Sequence, residues 1–286
     1  MTYLLLSILF STSLFVIFKY FEVYKVNTLQ AIVVNYIVAF VLGMFSANTF
    51  GKLATIPLQP WVYGAMFLGF LFIVIFFVMA RTAQENGVSV ASVAGKMSVV
   101  IPIIFGIVLY HESITPLKAF GIGIALIAVY LSSVKEEKEK ANGGLLFPIL
   151  LFLGSGIIDT TLKYVETNFV QVTDVAFFSG SLFGFAAIFG ILILVGTQLV
   201  SRKKLSFKSV LGGIALGIPN YYSIVFLIKA LQTKGVESST LFTINNVGVV
   251  VVSTIVGLFL FKEEFSIKNK IGIALAIFGI ILVTIA

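Results

Sequence analysis

Gly106 to Glu112 reads G-I-V-L-Y-H-E and Gly257 to Glu263 reads G-L-F-L-F-K-E, one seven-residue phrase written twice, 151 positions apart. Each copy closes one apolar run and precedes another. Downstream the likeness continues, because Gly121 matches Gly272 and Ala125 matches Ala276. Upstream, Arg81 to Gly87 (R-T-A-Q-E-N-G) recurs as Lys229 to Gly235 (K-A-L-Q-T-K-G), an offset of 148. Further back, Lys19-Tyr20-Phe21-Glu22 recurs as Lys163-Tyr164-Val165-Glu166, an offset of 144. Matches that keep their order while the offset grows slowly are the mark of one duplication with a few inserted residues.

The material between these landmarks decides the class. Hydrophobic residues make up 59% of the 286 and charged residues only 11%, with a mean hydropathy of +1.11. A soluble domain carries about a quarter charged residues, because its surface must face water. This chain has too little polar material to coat a globule, so its apolar surface must face lipid. A helix needs about 20 apolar residues to cross the hydrocarbon core. Candidate spans run over 2–20, 29–47, 60–82, 87–110 and 116–134, then 144–163, 172–198, 207–231, 236–261 and 267–285. These runs are too long and too continuous for the alternating strands of a membrane barrel. Tyr3, Trp61, Tyr63, Tyr110 and Tyr130 fall near span ends, as interfacial aromatics do. The first span lacks a basic leader and a small-residue cleavage site, so it reads as a retained helix. Small residues at Gly154-Ser155-Gly156, Gly180 with Gly184, and Gly212-Gly213 with Gly217 predict close helix packing.

The expected fold is therefore an all-α membrane protein of ten transmembrane helices. Residues 1–134 form a first five-helix repeat, 135–143 a charged linker loop, and 144–286 a second five-helix repeat. Five is an odd number, so the second copy must sit upside down relative to the first. Inverted repeats of this kind enclose a midplane site that rocking exposes to either side. Ten helices in two halves, each with a G-x-x-L-(aromatic)-(basic)-E turn between its fourth and fifth helices, resemble the EamA-like members of the drug/metabolite transporter superfamily. That resemblance covers essentially the whole chain. It implies a secondary transporter of small metabolites such as amino acids or related organic solutes, an exporter or exchanger working by alternating access. A channel-like facilitator and a multidrug exporter remain the alternatives.

Charge placement gives an orientation. Of 19 Lys and Arg residues, 13 fall in odd-numbered loops and 5 in even-numbered ones, with Lys96 inside a span. The positive-inside rule then puts the odd loops in the cytoplasm and both termini outside, in a multi-pass protein of the cytoplasmic membrane. The resemblance implies the reverse, with both termini inside.

Ionisable groups at the centre of a span cost about 2.5–3.5 kcal/mol on insertion scales, so each needs a partner or a wet cavity. Lys96 lies near the middle of the fourth span, six residues before Pro102, and is a candidate counter-ion for an acidic solute group or half of an ion pair with Asp159. Asp159, in the second half of the sixth span, is the coupling candidate. Asn35, Tyr36, Asn220, Tyr221, Tyr222, Asn245 and Asn246 are the neutral candidates for lining a substrate chamber, and for each the alternative is a bond holding helices together. Pro102 and Pro219 each free a backbone carbonyl, which is tolerated beside a cavity or a neighbour's donor. Glu112 and Glu263, ending the repeated phrase, read as structural acids that fix the turn by binding exposed backbone or a nearby lysine.

Other classes fit less well. His111 is the sole histidine and there is no cysteine, so no thiolate metal site or nucleophile–base pair is available, and neither an enzyme nor a cofactor is expected. The net charge of +7 follows from lysines in short loops and does not point to nucleic acid. A pore would carry rings of like charge at the span ends. The expected partners are a small-molecule solute and the lipid bilayer, with the chain a monomer or homodimer.

Overall fold

The computed structural model describes residues 2–46, 48–102, 104–105, 115–133, 144–171, 174–201, 205–231 and 238–285. Their secondary structure is helical throughout, with no strand among the described residues. In chain order the helices are α1 (Thr2–Val23), α2 (Thr28–Ser46), α3 (Val62–Glu85), α4 (Val88–Met97), α5 (Pro116–Ser133) and α6 (Leu146–Phe169). α7 (Val175–Ser201), α8 (Phe207–Leu231), α9 (Ser238–Leu260) and α10 (Ile267–Ile285) follow, and a 3-10 helix, Phe50–Leu58, lies between α2 and α3. Five of these helices are long and apolar enough to cross a membrane: α1, α2, α3, and the segments Val175–Gly196 and Phe207–Leu227 of α7 and α8. The charged linker 135–143, together with Tyr110, His111 and Glu112, lies outside the described residues.

Helix ends follow from local chemistry. Lys25 (φ 53) and Asn48 (φ 51) take the left-handed conformation that ends α1 and α2. The next N–H then reaches back into the last turn, from Val26 to the Phe21 carbonyl at 2.8 Å and from Thr49 to the Met44 carbonyl at 3.0 Å. Asn27 caps the start of α2, its Oδ1 accepting the Gln30 N–H at 3.1 Å. Ser266 and Asn269 form a reciprocal cap at the start of α10. Asn269 N–H donates to Ser266 Oγ, and Ser266 N–H to Asn269 Oδ1, at 3.2 and 3.1 Å.

The chain divides into two compact units, Met1–Tyr20 with Val78–Ile157 and Tyr222–Ala286, and Phe21–Phe77 with Ile158–Tyr221. In the first unit α5 lies along α10 and α4 lies against α9. Its apolar core joins Val93, Met97 and Val100 to Ala128, Val129, Phe152, Val250, Ala276 and Ile280. Asn269 also donates to the carbonyls of Leu131 and Ser132 at 3.2 and 3.0 Å, so the start of α10 holds the end of α5.

In the second unit α2 lies along α7. Glycines set the spacing, since a Cβ on Gly43 would stand 3.2 Å from Gly180 Cα, one on Gly184 3.0 Å from the Phe40 ring, and one on Gly190 2.9 Å from Val33. These contacts step down α2 as they step up α7, so the two helices run antiparallel. Gly64 and Gly69 of α3 press on Val165 and Phe185, while Gly212 and Gly217 of α8 press on Phe21 and Val38. Trp61 is buried edge-on against Phe177 and Phe178, with ring centroids 5.6 and 5.4 Å away. This corrects its reading as an interfacial aromatic: a span-end position does not fix which way an indole points. Tyr3, Tyr63 and Tyr130 are exposed.

Candidate functional site

Lys96 occupies the last turn of α4 in the first unit and is half-buried. The helical ladder breaks one residue further on, at Ser98 and Val99, and resumes at Val100. Pro102 has no N–H to give the Ser98 carbonyl, and the Ile101 N–H takes that carbonyl instead at 2.9 Å. Ser98 Oγ donates back to the Gly95 carbonyl at 2.7 Å. The carbonyl freed by Pro102 is thus satisfied locally by a tightened turn, leaving Lys96 beside a helix C-terminus whose partial negative charge favours a cation.

The same unit buries a group of hydroxyls and amides. Ser92 Oγ donates to the Ser89 carbonyl at 2.8 Å and is paired with Ser253 Oγ, which also reaches the Val250 carbonyl at 3.0 Å. Asn245 is buried and Asn246 half-buried. Asn245 Oδ1 and Thr12 Oγ1 have no hydrogen-bond partner among the described residues. Buried polar atoms of this kind are rare in packed interiors, because each carries a desolvation cost that nothing offsets. Tyr222 stacks near Phe10 and Phe226, at 6.0 and 5.7 Å between centroids.

Glu263 sits just beyond α9, after Lys262 in the left-handed conformation (φ 53). Its carboxylate reaches the first turn of α4. Oε1 accepts the Val88 N–H at 2.6 Å, while Oε2 accepts the Ser89 hydroxyl at 3.1 Å and its N–H at 3.4 Å. The backbone it binds therefore belongs to α4, not to its own turn. A carboxylate here meets orphan N–H donors at the positive end of a helix. Two glycines make room for it: a Cβ on Gly87 would stand 2.8 Å from Oε1, and one on Gly257 would overlap Oε2. Gly87 also has φ +105, a conformation side chains resist. Glu112, its sequence counterpart, lies outside the described residues.

In the second unit Asn220 Nδ2 donates to Asn35 Oδ1 at 3.1 Å, joining α8 to α2 between two buried amides. Asn35 Nδ2 has no partner among the described residues. Tyr36, one residue on, donates its hydroxyl to the Phe72 carbonyl at 2.9 Å and lies among the rings of Phe72, Phe76 and Phe183. Tyr221 is buried, with its ring 3.8 Å from where a Gly43 Cβ would be. Asp159 is exposed on α6. α8 continues through Pro219 without interruption.

Of the residues singled out from sequence, Asn35 and Asn220 meet directly, and Tyr36 is tied to α3 by its hydroxyl. Lys96, Tyr222, Asn245 and Asn246 fall in the first unit, and Asn35, Tyr36, Asn220, Tyr221 and Asp159 in the second. Sequence reasoning passed over Thr12, Ser92 and Ser253, because single hydroxyls are common in apolar helices. The three-residue spacing of Ser89 and Ser92 was the available signal.

Three comparisons bear on this arrangement. An uncharacterized protein of Haemophilus influenzae is 29% identical over 284 residues, covering 97% of this chain and 95% of that one. A crystal structure matches with a TM-score of 0.58 at 15% identity, over 99% of this chain and 96% of the other, which is a likeness of fold. Residues 1–134, just under half of the chain, match the model of the EamA-like transporter family.

Proposed function

We propose that the chain is a secondary transporter of small organic solutes, such as amino acids or their relatives, built from two inverted five-helix repeats that span the membrane ten times. The observation that carries this reading is the pairing of contacts in the second unit. Gly43 meets Gly180, and Val33 meets Gly190. Gly64 meets Val165, and Phe21 meets Gly212. Gly69 meets Phe185, and Val38 meets Gly217. Within each pair, one contact becomes the other when every residue is exchanged for its counterpart in the other half, at offsets of 144, 147 and 148 for α1/α6, α2/α7 and α3/α8. The first and last offsets were set by sequence motifs alone, and the middle one falls between them.

A contact set that maps onto itself under such an exchange is what a two-fold relation between like halves produces. The antiparallel course of α2 and α7 supports an axis across the helices instead of along them, so the halves point in opposite directions. Such halves rock about a site near the midplane in alternating-access carriers. In this reading Lys96, Tyr222, Asn245 and Asn246 are the candidate solute ligands of the first unit, Asn35, Tyr36, Asn220 and Tyr221 those of the second, and Asp159 is the coupling candidate.

The test is counterflow in proteoliposomes. Vesicles preloaded with a mixture of unlabelled zwitterionic amino acids should accumulate each labelled member of a panel transiently, faster than unloaded vesicles. Equal uptake with and without preloading points to a pore, and no uptake across the panel defeats the proposed solute class.

A further inference from the structure

At one end of the first unit, several of the contacts that join helices are polar and concentrated in a few groups. Glu263 holds Val88 and Ser89. Lys19 Nζ donates to the Gln84 carbonyl at 2.7 Å, and Gln84 Nε2 donates to the Phe18 carbonyl at 3.0 Å, so the ends of α1 and α3 clasp each other. Tyr20 meets Phe261 edge-on at 5.2 Å. Just inside, Ser92 and Ser253 pair across α4 and α9. At the other end of α4, Met97 and Val100 belong to the apolar core, and the ladder is interrupted between them at Ser98 and Val99. The first turn of α4 therefore combines hydrogen bonds to a carboxylate with its buried Val88 and Ala91, whereas its other end is held by the apolar core.

We propose that Glu263 is a releasable latch: its carboxylate holds the start of α4 against the end of α9 in one state of the cycle and lets go in the other. The proposal rests on the alternating-access reading, which requires some inter-helix contact at each end to open and close. A single carboxylate suits this role, since charge-assisted bonds to main-chain donors are strong yet exchange for water without exposing apolar surface. The seat is shaped for that group, because neither Gly87 nor Gly257 leaves room for a Cβ once the carboxylate is in place.

The chain contains no cysteine, so single-cysteine reporters can be read without background. Ser92→Cys places one in the fully buried region behind the latch, and Ser181→Cys places a control in the second unit, where the serine is 1% exposed. Each is introduced into the full chain in lipid nanodiscs, whose two faces are both open to solvent, and labelled with a membrane-impermeant maleimide. Glu263→Ala should raise the labelling rate of the Ser92→Cys reporter at least tenfold and leave the Ser181→Cys control unchanged. Glu263→Gln keeps one acceptor oxygen and should give an intermediate rise, which decides the matter if the alanine variant does not fold. An unchanged rate at the Ser92→Cys reporter, or an equal rise at both positions, overturns the latch. Neither result depends on a solute. A latch without counterflow would leave the device standing and remove the carrier reading, and counterflow without a latch would do the reverse.

Discussion

Lys96 lies in the last turn of a ten-residue helix, where its charge can serve the helix end, a partner within the protein or an anionic solute. At a helix C-terminus a cation gains about 0.3–1 kcal/mol from the backbone dipole. In a low-dielectric site the same ammonium attracts a carboxylate or phosphate strongly, because little water screens it. The roles separate on substitution. Lys96→Ala should lower the thermal midpoint only slightly, in keeping with that small dipole term, while cutting transport of acidic or zwitterionic solutes at least tenfold in proteoliposomes. Lys96→Arg keeps the charge at the helix end but spreads it over a planar fork, so stability should hold while transport falls partway. Transport by Lys96→Ala at the parent rate would remove the solute-binding role from Lys96. Position 96 was legible in the sequence as an isolated charge in an apolar run. Its place beside a break in the helix was not, because Pro102 marks a missing donor without saying which group replaces it.

Between elements, the glycines carry the argument, since helices in lipid gain little from burying apolar surface and depend on close packing and hydrogen bonds. Gly69 of α3 is one such contact, where an added Cβ would stand 2.6 Å from Phe185 Cβ and 2.8 Å from the Ala186 backbone nitrogen. Backbone cannot swing aside as a side-chain tip can, so Gly69→Ala should cost about 1–3 kcal/mol of overpacking. Gly123 of α5 has nothing within 4 Å of its added Cβ, and Gly123→Ala should be neutral or stabilise by up to about 1 kcal/mol through helix propensity. Thermal unfolding followed by helical circular dichroism separates the two, and a loss of equal size in both variants would contradict the assigned contacts. The sequence located Gly180, Gly184, Gly212, Gly213 and Gly217 as small residues on helix faces, and all five lie against α2 or the end of α1. Helix limits were also readable, because apolar runs and punctuating residues coincide. Partners were harder. The Asn35–Asn220 bond joins residues 185 positions apart, and no local pattern announces which amide finds which.

For the whole molecule, orientation is the property that the charge count and the family resemblance assign in opposite senses. The first unit supplies a parity check. Lys19 near the end of α1, Gln84 near the end of α3, and Phe261 with Glu263 after α9 are joined at one end through Lys19–Gln84, Tyr20–Phe261 and Glu263–Val88 contacts. Odd-numbered loops one, three and nine thus share an end, as they must if every helix crosses once. Lys229, near the end of α8, lies over the Tyr3 ring at 5.6 Å, which ties an even-numbered loop to the start of the chain. With 13 basic residues in odd loops against 5 in even ones, the odd end should face the cytoplasm, and the start of α1 should face away from it. In the proposed ten-span arrangement, the even number of crossings returns the other terminus to the same side. A reporter enzyme active only outside the cytoplasm, fused after Ala286, should therefore be active. A cysteine introduced by Lys203→Cys should react with an impermeant maleimide in inverted vesicles and stay silent in intact cells. The opposite pattern would mean that loop charge does not set the topology of this chain, and the odd-numbered end that carries Glu263 would then open outward.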